Sequence, residues 1–60
     1  MTMRRFSIEK ITYSNCGKRS YEYAVIDKIQ HIKIKGGFSN EFEAILWYIE
    51  SGYSILDLAD

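Results

Sequence analysis

His31-Ile-Lys-Ile-Lys35-Gly-Gly-Phe-Ser-Asn40-Glu-Phe-Glu-Ala-Ile-Leu-Trp-Tyr-Ile-Glu50 decides the reading of this 60-residue chain. Its first five residues alternate: Ile32 and Ile34 fall on one side, Lys33 and Lys35 on the other, the period of a half-buried strand over 31–35. Gly36-Gly37 breaks that alternation. Beyond it the spacing becomes helical. Phe42, Ile45, Leu46 and Ile49 recur at steps of three and four and predict a core-facing stripe on a helix over 40–51. Ser39 or Asn40 is placed to cap the free amides, Asn40 and Glu43 have capping-box spacing, and Glu41 and Glu43 suit the positive end of the helix dipole. Ser51-Gly52 closes the helix, with Gly52 as a left-handed stop.

Two more strands precede this unit. Residues 19–27 alternate, with Tyr21, Tyr23 and Val25 on one side and Glu22, Ala24 and Ile26 on the other. Residues 4–14 also read as a strand, but Phe6 and Ile8 differ in parity from Ile11 and Tyr13. Either a bulge at Glu9-Lys10 brings all four to one side, or the strand is buried differently at its two ends. Asn15-Cys16-Gly17-Lys18 is a hairpin turn in which Asn and Gly supply the positive φ angles. Residues 28–31 make the next connection. The tail, 53–60, has a cap signal at Ser54 and room for one helical turn, and Tyr53 is placed to fold back on Trp47 or Tyr48. The predicted fold is α+β: one domain over 1–60, a three-stranded antiparallel sheet with a single helix on one face.

A chain this short buries only about 60% of its unfolded surface. With 47% hydrophobic and 15% aromatic residues it is nonetheless built to fold. One cysteine, Cys16, and one histidine, His31, allow no internal disulfide and no metal centre, and no cofactor is expected. No apolar run approaches the roughly 20 residues of a membrane span. A free thiol without a secretory leader predicts a cytoplasmic protein.

The formal charge is zero, but it is unevenly spread. Residues 1–40 hold all eight bases and the acids Glu9, Glu22 and Asp27, a balance of +5; residues 41–60 hold five acids and no base, −5. Such asymmetry bears on partners rather than fold. A nucleophile–base pair would need His31 beside Cys16 or a serine, and nothing in the pattern orients them. Glu41 and Glu43 point about 200° apart on a helix, so they do not flank a cleft. Gly36-Gly37 lacks the following Lys-Ser/Thr of a phosphate loop. The chain reads as a non-enzymatic binding protein.

Gly37-Phe38-Ser39, followed by Glu43-Ala44, resembles the strand-to-helix junction of the small β-β-β-α DNA-binding domain at the N-terminus of phage and transposon integrases (tyrosine recombinases). Gly17-Lys18-Arg19 followed by Tyr21-Glu22-Tyr23 resembles that domain's turn and aromatic strand, so the likeness spans roughly residues 5–50. It implies that the outer face of the sheet lies in the DNA major groove, with Lys18, Arg19, Lys33 and Lys35 near phosphates. Here the helix and tail are acidic, and these 60 residues leave no room for a catalytic recombinase domain, so only binding is expected to carry over from the resemblance.

The expected nucleic-acid contacts are therefore Arg5, Lys10, Lys18, Arg19, Lys33 and Lys35, with Tyr21 and Tyr23 packing on bases or sugars if they lie outward. The alternative is a phage or mobile-element inhibitor or adaptor, anti-CRISPR-like or anti-restriction, that grips a protein of a nucleic-acid-processing system. That reading uses the acidic, aromatic helix: Glu41, Ala44, Trp47, Tyr48 and Asp57. A homodimer through the aromatic helix face or an edge strand is the third possibility. No membrane partner is expected.

Overall fold

The computed structural model describes residues 4–59. A long hairpin of β1 (Phe6–Asn15) and β2 (Lys18–Asp27) is followed by β3 (Ile32–Phe38) and the helix α1 (Glu41–Glu50). A three-residue 3-10 turn, Ile55–Asp57, then leads into a two-residue strand, β4 (Leu58–Ala59). The sheet order is β3-β2-β1-β4, antiparallel except that β4 runs parallel to β1 beside Phe6 and Ser7. The architecture is thus small α+β with one helix, as the spacing predicts, but the sheet has four strands and is mixed. The extra strand arises because the tail is drawn back over the sheet. The Arg4 guanidinium donates to the Leu56 and Leu58 carbonyls at 3.2 and 3.1 Å, and Leu58 buries itself in the core.

The β1–β2 register is unbroken from Phe6↔Asp27 to Asn15↔Lys18. No bulge interrupts β1, so Phe6 and Ile8 face the helix while Ile11 and Tyr13 face away. Of the two alternatives, burial that differs at the strand's two ends is the one realised. The irregularity lies in β2–β3 instead, with register shifts on both sides of Val25. Gly36-Gly37 sits there within β3 rather than ending it. Gly37 takes a φ of +87°, and a Cβ on Gly36 would lie 2.1 Å from Glu22 Oε1. The hairpin tip also differs from expectation: positive φ falls on Cys16 (52°) and Gly17 (80°), a two-residue turn, while Asn15 stays in the strand. Asp27 shapes the next turn by accepting from the Ile29 and Gln30 amides at 3.0 and 3.1 Å, and His31 lies in that turn at φ 59° rather than in a strand.

The core consists of Phe6, Val25, Ala44, Tyr48 and Leu58, flanked by Ile8, Tyr23, Ile34, Phe38, Ile45, Trp47 and Tyr53. Tyr53 folds back as expected and stacks on Tyr48 with centroids 5.0 Å apart, while Phe6 meets both rings edge-on. The Tyr48 hydroxyl donates to the Ser54 carbonyl at 2.5 Å, which is what allows a phenol to be buried here. Burial pushes that phenol's pKa up.

The helix presents a different face from the one its spacing predicts. Ala44 and Tyr48 are fully buried and Ile45 packs against the core, whereas Phe42, Leu46 and Ile49 point to solvent at 72, 47 and 49% exposure. Seven of the ten α1 residues are apolar or aromatic, so periodicity had no polar face to reject. Contact with the sheet chose the side where Ala44 permits close approach and Tyr48 fills the gap beside Phe6 and Tyr53. The caps follow the pattern. Asn40 Oδ1 accepts from the Glu43 amide at 2.9 Å, and Gly52 has a φ of +95°. The Glu43 carboxylate reaches back to the Ser39 amide and hydroxyl, one residue before the cap, and these bonds hold it below the usual carboxylate range.

Candidate nucleic-acid interface

The hairpin outruns its cover. The molecule measures 42 × 22 × 16 Å, and α1, at 1.5 Å per residue, is about 15 Å long against about 33 Å for a ten-residue strand. From Thr12 to Tyr21 every residue of the hairpin is exposed. Directly opposed residues in an antiparallel pair share a face. Lys10 with Tyr23, Thr12 with Tyr21 and Ser14 with Arg19 therefore continue the helix-side face past the helix, while Ile11 with Glu22, Tyr13 with Ser20 and Asn15 with Lys18 lie on the outer face.

This arrangement corrects the expected site. The outer face carries Glu9 and Glu22 beside Lys18 and Lys33, so it is close to neutral rather than basic. Arg19 and Tyr21 lie on the opposite, helix-side face because they alternate in step with Val25 along β2, and Lys10 joins them because β1 contains no bulge to move it. Tyr23 lies there too but is half-buried against the core, out of reach of a stacking partner.

Two expected phosphate contacts are already occupied. Arg5 pairs with Asp27 at 3.0 Å, and Asp27 is only 2% exposed. Its carboxyl is held below the usual range first by the Arg5 hydrogen bond and then by the Gln30 and Ile29 amides, against its own desolvation. Lys33 pairs with Glu22 at 3.2 Å. Glu22 also accepts from the Tyr13 hydroxyl and, at 2.7 Å, from the Gly37 amide. The Tyr13 bond is the largest cause lowering the Glu22 carboxyl, and the same contacts raise the Tyr13 phenol and the Lys33 ammonium. This cluster pins the β2–β3 irregularity and neutralises Glu22, one of the two acids that flank the arm; the other, Glu9, accepts from the Ser7 hydroxyl at 2.8 Å. Sequence spacing held no signal for it, because it depends on the register shift at Gly36.

Lys10, Lys18, Arg19 and Lys35 make no ion pair among the described residues. The Lys10 ammonium instead lies 4.7 Å from the centre of the Tyr21 ring, and Tyr21 meets Tyr23 edge-on at 5.9 Å. An open depression of about 320 Å³ at the arm is lined by Thr12, Tyr13, Ser14, Arg19, Ser20 and Tyr21.

At the other end of the chain, Glu41, Glu50 and Asp57 also form no ion pair among the described residues. Of the expected protein-contact residues, Glu41 and Asp57 are exposed and Trp47 is half-buried between Phe38 and Tyr53, each ring about 6.0 Å away. Ala44 and Tyr48 are inaccessible, since they form the helix's packed side. Among the described residues, no helix is long and apolar enough to cross a membrane, and no three His, Cys, Asp or Glu side chains gather as a metal site would require. No protein-family profile matches the chain, and no curated protein or solved structure matches it significantly.

Proposed function

We propose that this protein is a non-enzymatic binding module that lays its bare hairpin arm against nucleic acid, in the first place duplex DNA. The observation that carries this reading is the arm's charge. Residues 10–21 contain Lys10, Lys18 and Arg19 and no acid, and none of the three cations is drawn into an ion pair among the described residues. A two-stranded ribbon with strands about 4.8 Å apart fits a major groove about 12 Å wide. Lys10 and Arg19 then meet phosphates along one strand of the duplex, Lys18 meets them from the turn, and Tyr21 offers an exposed ring to sugars or base edges. Three cations make a weak, salt-sensitive contact and carry little sequence discrimination.

Fluorescence anisotropy with a labelled duplex tests this. Binding is expected at low salt, with log K falling against log salt at a slope no steeper than about −2.7, from about −0.9 per neutralised phosphate. Lys10→Glu combined with Arg19→Glu is expected to abolish it, whereas Glu50→Gln at the far end of the helix leaves it unchanged. No binding at low salt, or binding indifferent to the arm variant, overturns the reading.

A further inference from the structure

The outward side of α1 is an apolar surface that folding does not use. Measured from the buried Tyr48, Ile49, Phe42 and Leu46 fall within a single arc of about 60° on the helical wheel at 100° per residue, and Ile45 continues that arc down to the core. Three large side chains, Phe42 at 72% and Leu46 and Ile49 at just under half exposure, lie side by side on a ten-residue helix and form a contiguous patch of the kind that marks a contact surface, unlike scattered single residues. On the helix itself its flank has one sign. Glu50 and Glu43 follow Leu46 on the wheel, and the described chain from Gly36 to Ala59 contains Glu41, Glu43, Glu50 and Asp57 and no base. The Ser39 bonds that lower the Glu43 carboxyl also keep it charged.

We infer that this face docks a cationic amphipathic protein segment, most simply a helix that sets leucine-like side chains between Phe42, Leu46 and Ile49 and places Lys or Arg against Glu43 and Glu50. Charge decides between occupants. A second copy pairing through the same stripe brings the two acidic rims together with no base on either helix to offset them, and like charges across an interface are disfavoured. A basic partner meets both the apolar stripe and the rim. The surface is separate from the hairpin arm, so it stands or falls independently of nucleic-acid binding.

The experiment titrates the full chain with two synthetic peptides of about 18 residues in which Leu recurs at helical spacing, one with Lys and one with Glu at every other position. Isothermal titration is expected to show the Leu/Lys peptide binding at least about tenfold tighter than the Leu/Glu peptide. Leu46→Lys and, separately, Phe42→Ser are each expected to weaken it by about tenfold or more while circular dichroism and Tm stay near the parent values, because both side chains point to solvent. Trp47 and Tyr48 are left intact, so the fold is not at risk. Equal affinity for both peptides, or affinity untouched by either substitution, overturns the inference. So does a dimer near twice 7.0 kDa in sedimentation that dissolves on Leu46→Lys, since the second copy is then the occupant.

Discussion

The two ends of one hairpin make the informative comparison. At its base, Phe6, Ile8 and Val25 share a face and lie under α1, with Asp27 closing the last rung. Toward its tip the same face carries Thr12, Ser14, Arg19 and Tyr21, all exposed. Strand, parity and register are continuous; only the cover differs, because a ten-residue helix reaches about half as far as a ten-residue strand. The packed core lies at the base, and the arm is left exposed.

The strongest challenge to that division is Tyr48→Ala. It removes a fully buried ring that touches Phe6 and Tyr53, and loss of a core aromatic costs about 3–5 kcal/mol. A 60-residue domain has about 3–9 kcal/mol in total, so chemical denaturation is expected to find the variant largely or wholly unfolded. Near-parental stability would mean the base is not where the fold is held.

The complementary change is Lys10→Glu with Arg19→Glu on the arm. DNA binding is expected to vanish while the denaturation midpoint barely moves, as exposed substitutions usually change stability by no more than about 0.5 kcal/mol. A large loss of stability would show that the arm is structural.

A pH titration sharpens the contrast. The Asp27 carboxyl has a lowered pKa in the folded state, with Arg5 the main cause. Its contribution is therefore fully present above the ordinary carboxylate pKa, about 3.9, and is lost as pH falls below that value through the folded one. Asp27→Asn is expected to be less stable than the parent at neutral pH and to lose less on acidification. Equal acid sensitivity in the two proteins would remove Asp27 from the account.

The smallest effect is expected at the tip. Cys16 holds a φ of 52°, strained for a residue with a side chain, and Asn tolerates that region better. Cys16→Asn creates the Asn-Gly pair that two-residue hairpins favour, with a gain of up to about 1 kcal/mol expected in thermal melts. A drop in Tm would mean that the turn is held by something other than backbone preference.

Much of this division was legible in the residues. Alternation located all three long strands to within a few positions, and Asn40, Ser51 and Gly52 marked the helix. What the pattern could not supply was orientation. With apolar residues at Phe42, Ala44, Ile45, Leu46, Trp47, Tyr48 and Ile49, spacing alone could not select a side, and the larger side chains drew the choice away from Ala44. For the candidate site, the cations were visible as a set but their pairing was not. Whether Lys33 is bound and Lys10 free depends on which carboxylate the register shift at Gly36 brings near. β4 escaped notice because two residues carry no period. The DNA-binding likeness to the integrase domain remains a resemblance on the junction and turn residues.

The missing Cβ at position 36 has a consequence across the strand pair. The space it leaves is filled by Glu22 Oε1, which accepts from the Gly37 amide, while Oε2 of the same carboxylate accepts from Tyr13 and Lys33. Side-chain size at 36 is therefore limited by the side chain at 22. Shortening the side chain at 22 would make room for alanine at 36, whereas alanine introduced beside an intact Glu22 would have to displace its carboxylate and the bonds that carboxylate makes.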